Sequence, residues 1–268
     1  MKNCDDLETR KKEEMDFHDR LRSLEPSKDS ELFRYYTSNN KFYSIDRANR
    51  KFCEDWLRER CAGKKVLDYC CGDGEYSIMA ARLSASVVGI DISEVAIRKC
   101  EERARKEGLD AQTSFLVRDA ESTGFEDGSF DLVICGGVLH HLDLEKAYQE
   151  LARLLKPRGE IICMEALAHN PLIQWYRRLT PHLRTAYETE HILKMKDVYM
   201  AKKYFRKINI RFFHIATLLA VPFRNMPGFY GLLGLLEKID SVLLRIPLVQ
   251  KMAWVITFIL EEPVKTRK

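Results

Sequence analysis

The chain has 268 residues, 46% of them apolar, and a formal charge of +4, enough for one large α/β core with accessory segments and too little charge to imply a polyanionic partner. Its eight cysteines, at positions 4, 53, 61, 70, 71, 100, 135 and 163, include no CxxC pair. That argues against a zinc ribbon or a disulfide framework and for reduced thiols.

Met1 to Ser30 carries 16 charges and no apolar run, so it offers no secretory signal and reads as a mobile or peripheral helix. Glu31 to Cys61 is richer in aromatics, and Asn49 to Arg60 is predicted helical, with Phe52 and Trp56 four apart on one face. Next comes Val66-Leu67-Asp68-Tyr69-Cys70-Cys71-Gly72-Asp73-Gly74-Glu75-Tyr76-Ser77, a strand, a tight glycine-bearing turn and a helix start. A strand that stops at such a turn leaves a crevice at its carboxyl end.

Ser86 to Asp91 is a second strand closed by an acid, and Asp91 lies 19 residues after Gly72, a spacing that sets a carboxylate beside a ribose in several nucleotide-binding folds. Ser93 can cap the following helix, which Gly108 ends. Thr113 to Val117 is a third strand, followed by Asp119-Ala120. Phe130 to Cys135 is a fourth, buried strand that runs into Gly136-Gly137 and then His140-His141. Asp143 caps a helix carrying Leu144, Ala147, Leu151 and Leu154, Lys156 to Gly159 is a turn, and Glu160 to Glu165 is a fifth strand.

Beyond Glu165 the pattern is weaker: Ile192 to Phe205 looks helical, while Lys207 to Ile215 and Met252 to Leu260 look strand-like. Between these last strands Val221 to Gln250 reads as two amphipathic helices, starting near Pro227 and Ile239. From Lys202 onward 12 Lys and Arg face 4 Asp and Glu, so this apolar region is also basic. It can pack on the sheet, or touch a hydrophobic substrate or a membrane surface. The longest uncharged stretches here are 12 residues, short of the roughly 18 to 20 that span a bilayer.

The turn, the acids and the glycines after the fourth strand together resemble class I S-adenosylmethionine-dependent methyltransferases, in particular the branch of ubiquinone and menaquinone biosynthesis enzymes, over roughly residues 40 to 165. The family usually reads Asp-Leu-Gly-Cys-Gly-Thr-Gly in the turn, so Cys70 stands in place of its first glycine. A dinucleotide fits less well, because Glu75 would repel its phosphates, whereas acids suit a cofactor with a sulfonium and an ammonium. The resemblance implies a Rossmann-like, doubly wound, mostly parallel seven-stranded sheet with helices on both faces, a helical amino-terminal segment and a helical insertion before the last strand. It divides the chain into a lid segment, 1–50, and a methyltransferase domain, 51–268, with its insertion at about 221–250.

By the same resemblance the cofactor S-adenosylmethionine contacts Asp68, Cys70, Gly72, Gly74, Asp91, Ile92, Asp119, Ala120, Cys135 and Gly136. Asp119 would accept from the adenine amino group, and Asp68 from the methionyl amine. Methyl transfer is an in-line displacement that needs positioning and, for a protonated acceptor, a base. His141, or its neighbour His140, follows the fourth strand at the point where the methyl should sit. Tyr36, Tyr43, His182 and Arg184 are the acceptor-side candidates, although aromatic residues more often pack and basic loops are more often solvated. The partner expected is a small-molecule, hydrophobic acceptor and not a nucleic acid, in the cytoplasm or at the periphery of a membrane. His and acid spacings match no zinc or iron pattern. A non-catalytic protein that binds the cofactor or a partner on the same fold is the alternative, and Cys70 is the feature that sustains it.

Overall fold

A computed structural model describes residues 4–23 and 38–264. Seven strands form one sheet in the order β3-β2-β1-β4-β5-β7-β6, where β1 is Lys65–Tyr69, β2 Ser86–Asp91, β3 Thr113–Val117, β4 Phe130–Gly136, β5 Leu155–Ala166, β6 Phe205–Phe213 and β7 Val255–Pro263. The first five are mutually parallel, and β7 lies antiparallel between β5 and the edge strand β6. This is the doubly wound, mostly parallel sheet expected from the sequence.

Strand sequences explain why both faces are covered. Val66, Leu132, Ile134 and Ile162 point to one side, packing with Trp56 and Leu57, while Leu67, Tyr69, Val133 and Ile161 point to the other, packing with Leu151 and Phe258. Helices α2 (Arg47–Arg60), α3 (Glu75–Arg82), α4 (Glu94–Lys106) and α5 (Leu144–Leu154) supply much of that cover, whereas none of the described residues of α1 (Cys4–Ser23) enters the sheet's core clusters. Their starts follow local chemistry: the Ser93 hydroxyl accepts from Ala96 N at 2.9 Å and Asp143 accepts from Glu145 N at 3.2 Å. Chain order reverses at β1, which pairs with β2 on one side and β4 on the other, and this switch point opens a crevice beyond the carboxyl ends of both strands.

The carboxyl-terminal third departs from the sequence expectation in two places. The predicted helix over Ile192 to Phe205 is one short helix, Met195–Met200, and Phe205 instead opens β6, where it is fully buried. Burial in the sheet outweighs the weak helical pattern there. The insertion holds one long helix, Phe229–Leu243, which runs through Ile239 without a break because no proline or glycine interrupts residues 235–243; a short turn of helix, Pro247–Gln250, follows. Leu233 and Leu236 on its inner face pack with Leu218, Val221 and Ile45. Asp240, buried on the same helix, accepts from Ala216 N at 2.6 Å and from the Thr217 hydroxyl at 2.8 Å, so it pins the insertion to the chain leaving β6. Among the described residues no helix is long and apolar enough to cross a membrane.

Candidate active site

A cavity of about 430 Å³ lies at the switch point and is lined by Asp68, Cys70, Gly72, Asp91, Ile92, Asp119, Ala120, Gly136 and His141. The three acids come from the ends of β1 and β2 and from the loop after β3, so neighbouring strands carry them to one hollow. Asp68 is buried, and the Ser77 hydroxyl donates to its Oδ2 at 2.6 Å. Burial pushes its carboxyl up to about 6; the hydrogen bonds from Ser77 oppose that rise and the nearby Asp91 adds to it. Asp91 accepts from Gly72 N at 3.0 Å and Ser93 N at 2.9 Å, so it also locks the turn to the start of α4. The Glu121 amide donates to Asp119 Oδ1 at 2.9 Å.

The turn itself explains its glycines. Gly74 has φ +72°, and a Cβ there would stand 2.8 Å from the Cys100 sulfur. Cys70 adopts φ +59°, the left-handed conformation that favours the glycine usual at this position, and costs on the order of 1 kcal/mol as cysteine. Cys70 is half-buried against the core, and burial pushes its thiol well up, so it sits there as a neutral group. At the far side of the hollow a Cβ on Gly136 would meet the Tyr76 ring at 2.8 Å, whereas one on Gly137 would meet nothing within 4 Å. Glu75, the acid that argued against phosphates, forms an ion pair with Arg50.

Other expected site residues lie elsewhere. Cys135 is fully buried in the sheet and its neighbour Gly136 faces the cavity, as strand alternation dictates. Gly74 shapes the turn from behind without lining the hollow. His140 turns inward: its Nδ1 lies 2.7 Å from Oε2 of the buried Glu165, whose Oε1 accepts from Val138 N at 2.8 Å and Leu139 N at 2.7 Å. Burial alone would lower the His140 imidazole, but the Glu165 charge and hydrogen bond outweigh it and the pKa ends raised. Glu165 thereby fixes the loop that aims His141 at the cavity. Tyr43 lines the mouth with most of its side chain exposed, and Tyr36 lies outside the described residues. Neither His182 nor Arg184 lines the cavity; the buried Arg184 guanidinium instead donates to Thr180 O at 2.7 Å, closing its own loop.

The sequence leads to a helical amino-terminal segment but singles out none of the α1 residues that line the site. This helix lies over the hollow and lines it with Arg10, Lys11, Glu14, Met15, His18 and Arg22, which recur at spacings of three and four on one face. Lys11 Nζ stands 2.7 Å from Asp119 Oδ2, Arg10 pairs with Glu121, and Arg22 lies 3.9 Å from Asp91. Glu14 is buried, with its Oε2 2.9 Å from His141 Nδ1 and 3.7 Å from His18 Nε2. Burial, reinforced by the charges of His141 and Arg22, pushes His18 down to about 3, so its imidazole is neutral. The signal was present as a helical stripe, but a highly charged, weakly amphipathic segment gives no reason to expect it buried. The insertion contributes no residue to the cavity lining.

Residues 61–210 match the family model described as a methyltransferase domain. Demethylmenaquinone methyltransferase of Bacteroides fragilis is 32% identical over 124 residues, 45% of this chain and 50% of that protein, and ubiquinone biosynthesis O-methyltransferase of Ralstonia nicotianae is 33% identical over 141 residues, 51% and 58% of the two chains. The chain thus spans about half the length of these curated relatives. Geranyl diphosphate C-methyltransferase from Streptomyces coelicolor, solved with Mg2+, geranyl-S-thiolodiphosphate and S-adenosyl-L-homocysteine, shares the fold at a TM-score of 0.56 and 17% identity over 79% of this chain and 76% of its own. With the family model covering more than half of its length, this chain belongs to the methyltransferase-domain family.

Proposed function

We propose that the chain transfers a methyl group from S-adenosylmethionine to a small, hydrophobic acceptor. The observation that carries this reading is the convergence of Asp68, Asp91 and Asp119 on one hollow beside a glycine turn. The acids suit a cofactor with an ammonium, two ribose hydroxyls and an adenine amino group, and the bare face of Gly137 leaves room for it. When bound, the cofactor supplies an electrophilic methyl on sulfur. The chain's part is to hold and orient: Asp68 takes the amine, Asp91 the ribose, and Asp119 with the Ala120 amide the adenine, while Cys70, Gly72, Ile92 and Gly136 shape the walls. His141 faces the acceptor side, where it orients or deprotonates the acceptor, and His140 positions it through Glu165.

The amino-terminal 50 residues act as the lid in this reading. With α1 seated, Lys11 and Arg22 occupy the neighbourhood of acids that the cofactor would use, so entry requires those ion pairs to exchange. The relatives named for quinone biosynthesis support an apolar acceptor. So does the outer face of the Phe229–Leu243 helix, where Tyr230, Leu235 and Val242 stand exposed close in sequence to Arg224, Lys238 and Arg245, a pattern suited to the surface of an anionic membrane.

Calorimetric titration with S-adenosylhomocysteine, followed by incubation with methyl-labelled cofactor and a quinol or phenol acceptor, tests the reading. Binding and transfer of label are expected. Binding without transfer to any acceptor in a metabolite extract would favour a non-catalytic role, and absence of binding would overturn the assignment.

A further inference from the structure

Three side chains at the acceptor end of the cavity have donor atoms close enough to share a ligand. One atom each of Glu14, His18 and His141 lies within 4.8 Å of the other two. Two of these atoms, Glu14 Oε2 and His141 Nδ1, are buried and face each other at 2.9 Å with no further hydrogen-bond partner among the described residues. A buried carboxylate oxygen with two imidazole nitrogens around it is a donor set that a cation can share.

We propose that Glu14, His18 and His141 form a site for a divalent cation of the zinc type, and this rests on the methyl-transfer reading for its role at the acceptor. Two imidazoles and one carboxylate are a common catalytic zinc set, with a fourth position left to water or substrate. Bonds of about 2.0–2.1 Å around a tetrahedral ion put donors roughly 3.3 Å apart. The observed separations of 2.9 Å and 3.7 Å from Glu14 Oε2 to the two imidazole nitrogens bracket that value.

The surroundings fit as well. The Thr185 hydroxyl donates to Glu14 Oε1 while itself accepting from Glu188 N at 3.1 Å, so the carboxylate is oriented with Oε2 left for the ion. The cations nearest on α1 do not compete for that oxygen: Arg10 is paired with Glu121, Lys11 with Asp119, and Arg22 with Asp73. A second grouping, His140 with His141 and Glu188, is less apt because Glu188 is already paired with Arg177 and Arg184. In the site proposed, His141 serves as a ligand, and the open position takes an oxygen of the acceptor, whose acidity the cation raises. Two of the ligands come from α1, so the site is complete only with this helix seated over the cavity.

The test uses the full chain stripped with chelator and titrated with Co2+, read by visible absorption, then displaced with Zn2+. One equivalent per chain is expected, with Glu14→Gln and His18→Ala each weakening binding at least about tenfold. Circular dichroism on both variants verifies their folding, and His18→Ala, at a partly exposed position, keeps the test decisive if Glu14→Gln does not fold. Absence of stoichiometric cobalt, tight binding unchanged in both variants, or the near-ultraviolet band of a cobalt thiolate would overturn the proposal. S-adenosylhomocysteine affinity, measured on the metal-free chain, separates the two claims: cofactor binding without cobalt sinks only the metal site, and cobalt without cofactor sinks the methyl-transfer reading.

Discussion

Asp68 makes cofactor affinity depend on pH in a direction that can be worked out in advance. Its carboxyl titrates at about 6 in the free protein, against an ordinary value of 3.8, because it is buried beneath the turn. An ammonium bound beside it favours the ionised form, so affinity is constant well above that value and falls as the pH drops through it. With one proton to remove before binding, S-adenosylhomocysteine should bind about tenfold more weakly at about pH 5 than at about pH 7. Folding shows the opposite sign, since the native carboxyl holds its proton over a range where the unfolded chain has lost it. Stability from this group is therefore present at low pH and declines between about pH 4 and pH 6, by up to about 3 kcal/mol. Calorimetry across this range, on the wild type and on Asp68→Asn, is the assay. The variant should bind weakly with this pH dependence removed. A flat wild-type profile, or a slope that survives in Asp68→Asn, would refute the amine-binding role.

Glu165→Ala leaves the Val138 and Leu139 amides and His140 without their buried acceptor, a loss of about 3–5 kcal/mol. Thermal melting should register a drop of about 6–15 °C, and a shift within error would show that water replaces the carboxylate. Lys11→Ala removes a partly exposed ion pair that the cofactor must displace, so calorimetry should show S-adenosylhomocysteine binding up to about fivefold tighter; unchanged or weaker binding would count against competition by α1. Replacing Tyr230, Leu235 and Val242 together by Ser should abolish sedimentation with anionic vesicles while leaving the melting temperature nearly unchanged, because these side chains point outward. Equal sedimentation of variant and wild type would remove the membrane reading.

The sheet was legible because its central strands are short apolar runs ending at glycines or acids, and burial on both faces leaves such runs little choice. Asp68, Asp91 and Asp119 were legible for the same reason, since each stands at or just past a strand end. Of Cys135 and Gly136, both expected at the cofactor, only Gly136 lines the cavity, because strand-end spacing does not say which face a residue takes. His141 was the favoured member of the histidine pair, but the reason lay out of sight in the sequence: Glu165, 25 residues after His140, claims that neighbour. A lid at the amino terminus was expected, but which α1 side chains enter the cavity was hidden, since most of these contacts are ionic and leave no apolar stripe. The metal grouping was hidden because its third donor comes from a loop more than a hundred residues away from the other two.

Asp240 has a consequence for how molecules enter and leave. Swinging the Phe229–Leu243 helix aside would strip a buried carboxylate of its donors and unpack Leu233 and Leu236, a penalty of several kcal/mol on each opening. That helix is fixed and lines no part of the hollow, so traffic falls to the amino-terminal helix, held over the hollow in part by the partly exposed Lys11–Asp119 pair, which salt weakens. The proposed methyl transfer should therefore quicken with moderate ionic strength before it slows.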